Sequence, residues 1–199
     1  MPRARKSPTR SIPTGDVKSR LIAAAMALAA AQGWRRLGMG EIAREAGVTL
    51  DEAYRIFPTR PALLAGFAQQ VNESVLSGPD DTGGTPRERL FELLMRRFDT
   101  LKPHRAALKA IARDSIGDPA ALFAIPIGLN AMAWMLEAAG IGAEGWRGRA
   151  RCLALAGAYA ATLRVFLGDD SEDLSKTMAA LDRRLKSGPF GTGDARRAA

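Results

Sequence analysis

The apolar positions of this chain recur every three or four residues, which is the spacing of helices that bury one face. Between residues 16 and 32, for example, Leu21, Ile22 and Ala25 fall on one side of a long Ala-rich segment. No stretch alternates apolar and polar residues in the way that a strand does. The pattern therefore predicts an all-α protein of nine helices, without an internal repeat.

The segment from residue 41 to residue 58 predicts two short helices joined by a tight turn. Gly47 ends the first helix, and Thr49 caps the second. Thr49 and Glu52 form a T-x-x-E capping box, in which each residue satisfies a backbone amide that the helix start leaves unpaired. Two short helices joined by a turn that contains Gly are the pattern of a helix-turn-helix.

Turn and capping residues divide the rest of the chain. Thr85, Pro86 and Glu88 read as an N-cap, a first-turn proline and a capping-box glutamate. The last helix is expected to begin with Ser171 as its cap. The helices after the turn are predicted to begin near residues 58, 86, 103, 120, 144 and 171.

The helix-turn-helix residues resemble the TetR family of transcriptional regulators. The family pattern I-A-x-x-A-G-V-[ST] matches Ile42 to Thr49, and the pattern Y-x-x-F-P-[ST]-[KR]-x-x-L-L matches Tyr54 to Leu64. The resemblance spans residues 18–67. It implies a TetR-like fold, with an N-terminal three-helix DNA-binding module and a C-terminal helical core that binds a ligand and forms a homodimer.

Composition and the resemblance together predict four segments. Residues 1–15 are expected to be a disordered basic arm, and residues 16–64 the helix-turn-helix domain. Residues 65–187 would form the ligand-binding and dimerisation domain, and residues 188–199 a disordered tail. The homodimer is expected to form through the last two helices, because the short loop at residues 168–170 makes them an antiparallel hairpin. The residues expected at this interface are Tyr159, Leu163, Phe166, Met178 and Leu181.

The second turn helix is implied to enter the major groove of double-stranded DNA. The residues expected at the DNA are Arg44, Thr49, Tyr54, Arg55 and Arg60. Arg44 and Arg60 would contact phosphates. Asp51 stands where the family usually has a small residue, and Ile56 where it has His or Tyr. Asp51 and Glu52 are both acidic, and carboxylates that face phosphates are repelled, although Glu52 has a capping role that turns it away.

The formal net charge of +8 is concentrated at the two ends of the chain. Residues 1–20 contain six basic residues and one acidic residue, and residues 183–199 contain five and one. A basic arm before a helix-turn-helix can reach neighbouring phosphates or the minor groove. A solvated tail that aids solubility would have the same composition, and both interpretations stay open.

The sequence contains little that could carry catalysis. It has one His, His104, and one Cys, Cys152, so neither a disulfide framework nor a cysteine-based zinc site is expected. No enzyme activity, cofactor or metal is predicted. Without a signal peptide or an apolar run of roughly 18 residues, the chain is expected to be cytoplasmic, with no integral membrane contact.

Large and flexible apolar side chains of the C-terminal half are predicted to line a ligand cavity. These candidates, with one polar residue among them, are Met95, Phe98, Phe123, Ile127, Asn130, Met132, Trp134, Met135, Tyr159 and Phe166. The segment around residues 121–136 is apolar on nearly all sides, so both of its faces are expected to be covered. Because polar lining groups are scarce, the expected ligand is apolar.

The last third of the chain also resembles the lipid-binding proteins of ubiquinone biosynthesis, which share the TetR fold. The shared features include the run from Leu167 to Asp173 and the run from Leu181 to Arg184. Residues 187–199 are too rich in Gly to form the terminal amphipathic helix of that family. The two resemblances thus imply a TetR-like regulator with an apolar effector, and a repressor rather than an activator. The alternative is a lipid-binding accessory protein that does not read DNA.

Overall fold

The computed structural model of this chain describes residues 14–78, 83–116 and 124–190. In these three ranges the chain forms nine α-helices and one short 3-10 helix, and no residue there lies in a strand. The predicted all-α class is confirmed. The basic arm before residue 14, the tail after residue 190, Phe123 and the side chain of Ile127 lie outside the described part.

The helices follow the predicted order. They are α1 (Thr14–Gln32), α2 (Met39–Glu45), α3 (Leu50–Ile56), α4 (Arg60–Leu76), α5 (Pro86–Leu101), α6 (Arg105–Asp114), α7 (Ala124–Ala138), α8 (Gly145–Leu167) and α9 (Ser175–Ser187). The 3-10 turn at Lys102–His104 joins α5 to α6. Beyond α9, Phe190 is buried, so the packed part of the chain continues past the boundary expected at residue 187.

Threonine side chains cap the starts of three helices, α3, α4 and α5. Thr49 with Glu52, and Thr85 with Glu88, form complete capping boxes at α3 and α5. Thr59 caps α4 by accepting a hydrogen bond from the amide of Ala62. Each such cap contributes about 1 kcal/mol to helix stability, and the three together fix where the helices around the turn begin.

The prediction that Ser171 caps the last helix is wrong. The helix begins four residues later, after Leu174, which is buried and has a left-handed φ of 56°. The cause is the buried carboxylate of Asp169, which accepts hydrogen bonds from Ser171 and from Thr177. Burial opposes ionisation of Asp169, but these hydrogen bonds outweigh it and hold its pKa well below the usual range.

Helix α5 lies at the centre of the core and packs against α4, α7 and α9. Leu90, Leu94 and Phe98 line its inner face and are fully buried. The Phe98 ring stacks on Tyr159 at 5.3 Å between centroids and contacts Phe166 at 5.2 Å. These two residues belong to α8, so an aromatic contact joins the centre of the core to its outer hairpin.

The helix-turn-helix module, α1 to α3, docks on the core chiefly through α1 against α6. At the end of α6, Oδ2 of Asp114 accepts hydrogen bonds from the amides of Trp34 at 2.8 Å and Arg35 at 3.0 Å. Its Oδ1 accepts from Arg113. The Arg113 hydrogen bond and these two amides lower the pKa of Asp114 from 3.8 to about 2. The core thus grips the loop between α1 and α2.

A second docking contact needs the absence of a side chain. Phe57, after α3, packs against Gly66 on α4, where an added Cβ would lie 2.5 Å from Cε1 of the ring. Both residues are buried. A close approach of this kind fixes the spacing between α3 and α4.

Gly66→Ala should therefore destabilise the protein by about 1–3 kcal/mol, because the methyl group overpacks the Phe57 ring. Gly40 is the matched control, since it also lies in a helix but an added Cβ there meets nothing within 4 Å. Gly40→Ala should leave stability unchanged or raise it by about 0.5–1 kcal/mol. Chemical denaturation of both variants measures the difference, and equal stabilities would contradict the packing described.

Asp114→Ala should loosen the loop between α1 and α2. The lowered pKa means that the ionised carboxylate stabilises the docked loop above about pH 4, and that this contribution is lost as the pH falls toward 2. Hydrogen exchange should show lower protection of the Trp34 and Arg35 amides in the variant at pH 6, with α5 amides unchanged. Unchanged protection of the two loop amides would show that Asp114 does not hold them.

Candidate DNA-binding surface and ligand core

The helix-turn-helix is held together by small buried residues and one arginine. Ile42, Ala43 and Ala53 are buried between α1, α2 and α3, and Gly47 in the turn has a positive φ of 64°. Arg20 on α1 donates to the carbonyl oxygens of Ala46 and Gly47. These contacts fix the turn on the side that faces α1, and the opposite side of α3 remains available for contact.

The outer face of α3 carries large exposed side chains. Tyr54 is 65% exposed and Leu50 is 58% exposed; they are four residues apart and so lie on one face of the helix. Arg55 is exposed beside them and forms an ion pair with Asp51. Exposed apolar area of this kind, next to a cation, suits a surface that contacts another molecule.

Both acids of α3 have partners within the helix. Glu52 accepts hydrogen bonds from the amide and the hydroxyl of Thr49, both at 2.9 Å, and these bonds lower its pKa. Asp51 pairs with Arg55. Neither carboxylate therefore meets an approaching phosphate as an isolated charge. Thr49, predicted to contact DNA, has its hydroxyl engaged in the capping box.

The two arginines that the sequence assigns to phosphates are placed differently. Arg44 on α2 is exposed, as a phosphate contact requires. In contrast, Nη1 of Arg60 donates to the carbonyl oxygens of Trp34 at 2.7 Å and of Leu37 at 3.2 Å, and its Cζ lies 5.4 Å from the Trp34 ring centroid. Arg60 thus holds the loop between α1 and α2 through Nη1. A contact between its other nitrogen atoms and a phosphate stays a prediction.

Half of the predicted ligand-lining residues are buried in the core. These are Met95, Phe98, Met132, Met135 and Phe166, with Tyr159 half-buried beside them. Trp134 and Asn130 are exposed, so their assignment to a core lining is wrong, as is the expectation that α7 is covered on both faces. The physical reason is the helical period, which turns Met132, Met135 and Leu136 inward and Trp134 outward.

The structure adds three polar residues that the sequence analysis did not assign to the core site. Arg97 on α5 is buried, donates from Nε to Oη of Tyr159 at 3.0 Å, and donates from Nη1 to Oδ1 of Asn72 on α4. At the start of α6, Arg105 stacks on Phe166 with Cζ 4.8 Å from the ring centroid. The apolar spacing around Arg97 was the only signal in the sequence, because its partners are 25 and 62 residues away.

Both helices of the α8–α9 hairpin expose large apolar side chains. Trp146 is 75% exposed and Leu153 is 61% exposed on α8, and Met178 is exposed on α9. By contrast, Phe166 and Leu181, predicted at the dimer interface, are fully buried within one protomer. Helix α8 is long and apolar enough to span a membrane, and only 22% of its apolar window is buried. We call this surface, defined by Trp146, Leu153 and Met178, the α8–α9 face.

Cys152 and His104, the single cysteine and histidine of the chain, lie in packed surroundings. Burial raises the pKa of the Cys152 thiol and lowers the pKa of His104, whose ring meets Phe67 edge-on at 5.2 Å. Across the described ranges, no three His, Cys, Asp or Glu side chains come together to hold a metal ion. The geometry of these residues thus points to packing.

Comparisons with known proteins agree with this arrangement. The pattern of the bacterial regulatory proteins of the tetR family matches residues 21–66, and that of COQ9 matches residues 134–188. The comparison with curated proteins found no match.

Three solved structures show the same fold. A TetR transcriptional regulator from Nitrosomonas europaea is 21% identical, with a TM-score of 0.70 over 85% of this chain and 96% of its own. A TetR regulator from Rhodococcus sp. RHA1 is 22% identical, with a TM-score of 0.63 over 87% and 98%. NalD, the secondary repressor of the MexAB-OprM multidrug efflux pump in Pseudomonas aeruginosa, is 19% identical, with a TM-score of 0.52 over 86% and 96%. The chain therefore has the fold of TetR transcriptional regulators and, over residues 21–66, the sequence pattern of that family.

Proposed function

We propose that this protein is a transcriptional regulator that binds double-stranded DNA as a homodimer and responds to a small molecule in its core. The observation that carries the proposal is the exposed outer face of α3, on a module with the tetR-family sequence pattern. Action as a repressor in the cytoplasm is part of the proposal. It is supported by the fold shared with NalD, which is itself a repressor.

In this proposal α3 reads the major groove. Arg55 can donate two hydrogen bonds to a guanine, and the ion pair with Asp51 orients its side chain along the helix. Leu50 and Tyr54 offer apolar contact to thymine methyl groups. Arg44 on α2 lies outside this face and is assigned to a phosphate, which sets affinity but carries no base preference.

The core can influence the module through two contacts with the loop between α1 and α2. Asp114 of α6 holds the loop amides, and Arg60 of α4 holds its carbonyls. Helix α4 also reaches the core site through Asn72, which accepts from Arg97. A ligand that moves α4 or α6 would therefore move the module, and with it the two α3 helices of a dimer.

The α8–α9 face is assigned to the dimer interface. Its large apolar residues are exposed in one protomer, and a second copy would bury them in a four-helix arrangement. This assignment replaces the buried residues Phe166 and Leu181 with the exposed residue Leu153 as the centre of the interface.

A second candidate is a lipid-binding accessory protein of the COQ9 type. Its support is the COQ9 sequence pattern from the end of α7 through α9, together with the largely uncovered apolar surface of α8. In that case the core ligand would be found without any binding to DNA, and the α8–α9 face would contact a lipid surface.

DNA binding is expected to be steeply salt-dependent, with a slope of roughly −0.9 per phosphate neutralised. Arg44→Ala should weaken binding to all sequences alike and make the slope shallower by about one such unit. Arg55→Ala should instead change which bases are preferred. Fluorescence anisotropy with duplexes from the upstream region of the gene measures both, with Lys109→Ala, an exposed change on α6, as the control. Absence of binding even at low salt would reject the regulator and favour the second candidate.

Leu153→Glu should convert the dimer into monomers, because the interface would have to bury a carboxylate without a partner. The dissociation constant should rise by roughly a hundredfold or more. Leu50→Glu is the matched control, since Leu50 is equally exposed but lies on α3. Light scattering coupled to size exclusion distinguishes the two variants. A Leu153→Glu protein that remains dimeric would exclude the α8–α9 face as the interface.

A further inference from the structure

The core buries one positive charge that no carboxylate of the described residues balances. Arg97 is 6% exposed, and its two hydrogen-bond partners, Tyr159 and Asn72, are neutral. Its Cζ lies 5.3 Å from the centroid of the Tyr159 ring, which offers a further weak attraction. A buried ion without a counter-charge is unfavourable, so proteins that keep one usually use it.

Asp169 provides the contrast. It is the other charged side chain that is buried in the described part of the chain, and both of its oxygens accept hydrogen bonds, from Ser171 and from Thr177. Its charge is therefore stabilised by a complete set of donors. Arg97 has no comparable set of acceptors.

We call Arg97, Asn72 and Tyr159 the Arg97 cluster. Each of these three side chains has a hydrogen-bond donor that finds no acceptor among the described residues. A guanidinium can only donate, so Asn72 turns its carbonyl oxygen toward Arg97 and its NH2 group elsewhere. The Tyr159 oxygen accepts from Nε, which leaves the hydroxyl proton to be donated. Nη2 of Arg97 donates to no described residue. The cluster thus lacks an acceptor that carries a negative charge.

A second guanidinium lies at the other end of the same aromatic contacts. Phe98 touches both Tyr159 and Phe166, and Arg105 stacks on Phe166. Nε and Nη2 of Arg105 are buried without a hydrogen-bond partner in the described structure. Nη1 of Arg105 donates to the carbonyl oxygen of Asp169, whose side chain is buried, so the charge of Arg105 has an acidic residue beside it. This end of the core therefore adds unpaired donors to a site for which the sequence predicts few polar groups.

We propose that the core binds an organic anion, a single carboxylate on an apolar chain, with the carboxylate held by the Arg97 cluster. A carboxylate only accepts hydrogen bonds, and its one negative charge matches the one unbalanced charge of Arg97. The apolar chain is assigned to the aromatic side chains next to the cluster, where Phe98 stacks on Tyr159 and contacts Phe166. The inference deepens the proposed function by naming its ligand class, and it rests on the ligand-binding role of the core.

The test compares ligands that share a chain and differ in the head group. Dodecanoate, dodecanol, dodecyl phosphate and dodecyltrimethylammonium are titrated into the full-length protein below their micelle concentrations, with calorimetry as the readout. Dodecanoate should bind at least tenfold more tightly than dodecanol, because a hydrogen bond to a charged group contributes that much. Equal affinity for the acid and the alcohol, tighter binding of the phosphate, or equal binding of the cation would overturn the proposal.

Variants then locate the head group. Arg97→Met keeps the length of the side chain without its charge and should weaken dodecanoate about tenfold to a hundredfold, while dodecanol is not weakened. Tyr159→Phe keeps the ring and should weaken dodecanoate by a smaller factor. Arg36→Met, an exposed change far along the chain from the cluster, removes the same charge and should have no effect. Dodecanoate affinity that survives Arg97→Met would make Arg97 a purely structural cation.

These outcomes are separate from those of the DNA experiments. If Arg97→Met does not fold, the comparison of acid and alcohol in the unaltered protein still decides the ligand class. Failure of dodecanoate to bind leaves DNA reading untouched. Binding of dodecanoate by a protein that never binds DNA upholds the anion site and rejects the regulator.

Discussion

The loop between α1 and α2 is the point on which the rest of the structure depends, because the core grips its backbone from two helices. Asp114 at the end of α6 accepts from two loop amides, and Arg60 at the start of α4 donates to loop carbonyls. A carboxylate and a guanidinium therefore satisfy opposite kinds of backbone group in one short segment. Hydrogen bonds to charged groups are worth more than neutral ones, so the loop carries the orientation of the whole module.

This arrangement connects the two ends of the proposed activity. Helix α4 holds the loop with Arg60 at its start and meets the Arg97 cluster through Asn72, three-quarters along its length. An anion that engages Arg97 would compete for or reorient this contact. The ligand class and the DNA-binding geometry are then linked by a single helix, and a change at one end has a direct mechanical route to the other.

Local features of the fold could be predicted from the sequence, and long-range features could not. The capping boxes at Thr49 and Thr85 depend on residues three positions apart, so the pattern alone placed them. Asp114 grips amides about 80 residues away, and nothing in the spacing signals that contact. The start of α9 was misplaced because Asp169, a buried acid, reorganises the loop before it.

The candidate sites show the same division. Met132 and Met135 are buried as expected from their size and apolar character, but the same character of nearly every residue in α7 concealed that Trp134 faces outward. Arg60 was assigned to phosphate from its place in a motif, whereas its partners are set by the fold of the preceding loop. The apolar spacing of α5 places Arg97 next to core positions. The hydrogen bonds that it makes there depend on Asn72 of α4 and Tyr159 of α8, and the sequence does not show that these residues meet.

Selection of binding sites from random DNA duplexes tests the central claim most directly. The full-length protein is incubated with the pool at low salt, and the bound DNA is amplified over several rounds and sequenced. A dimer that places two α3 helices in successive major grooves predicts an enriched palindrome whose half-sites are separated by about one helical turn or a multiple of it. A pool that shows no enriched sequence after selection would contradict the account.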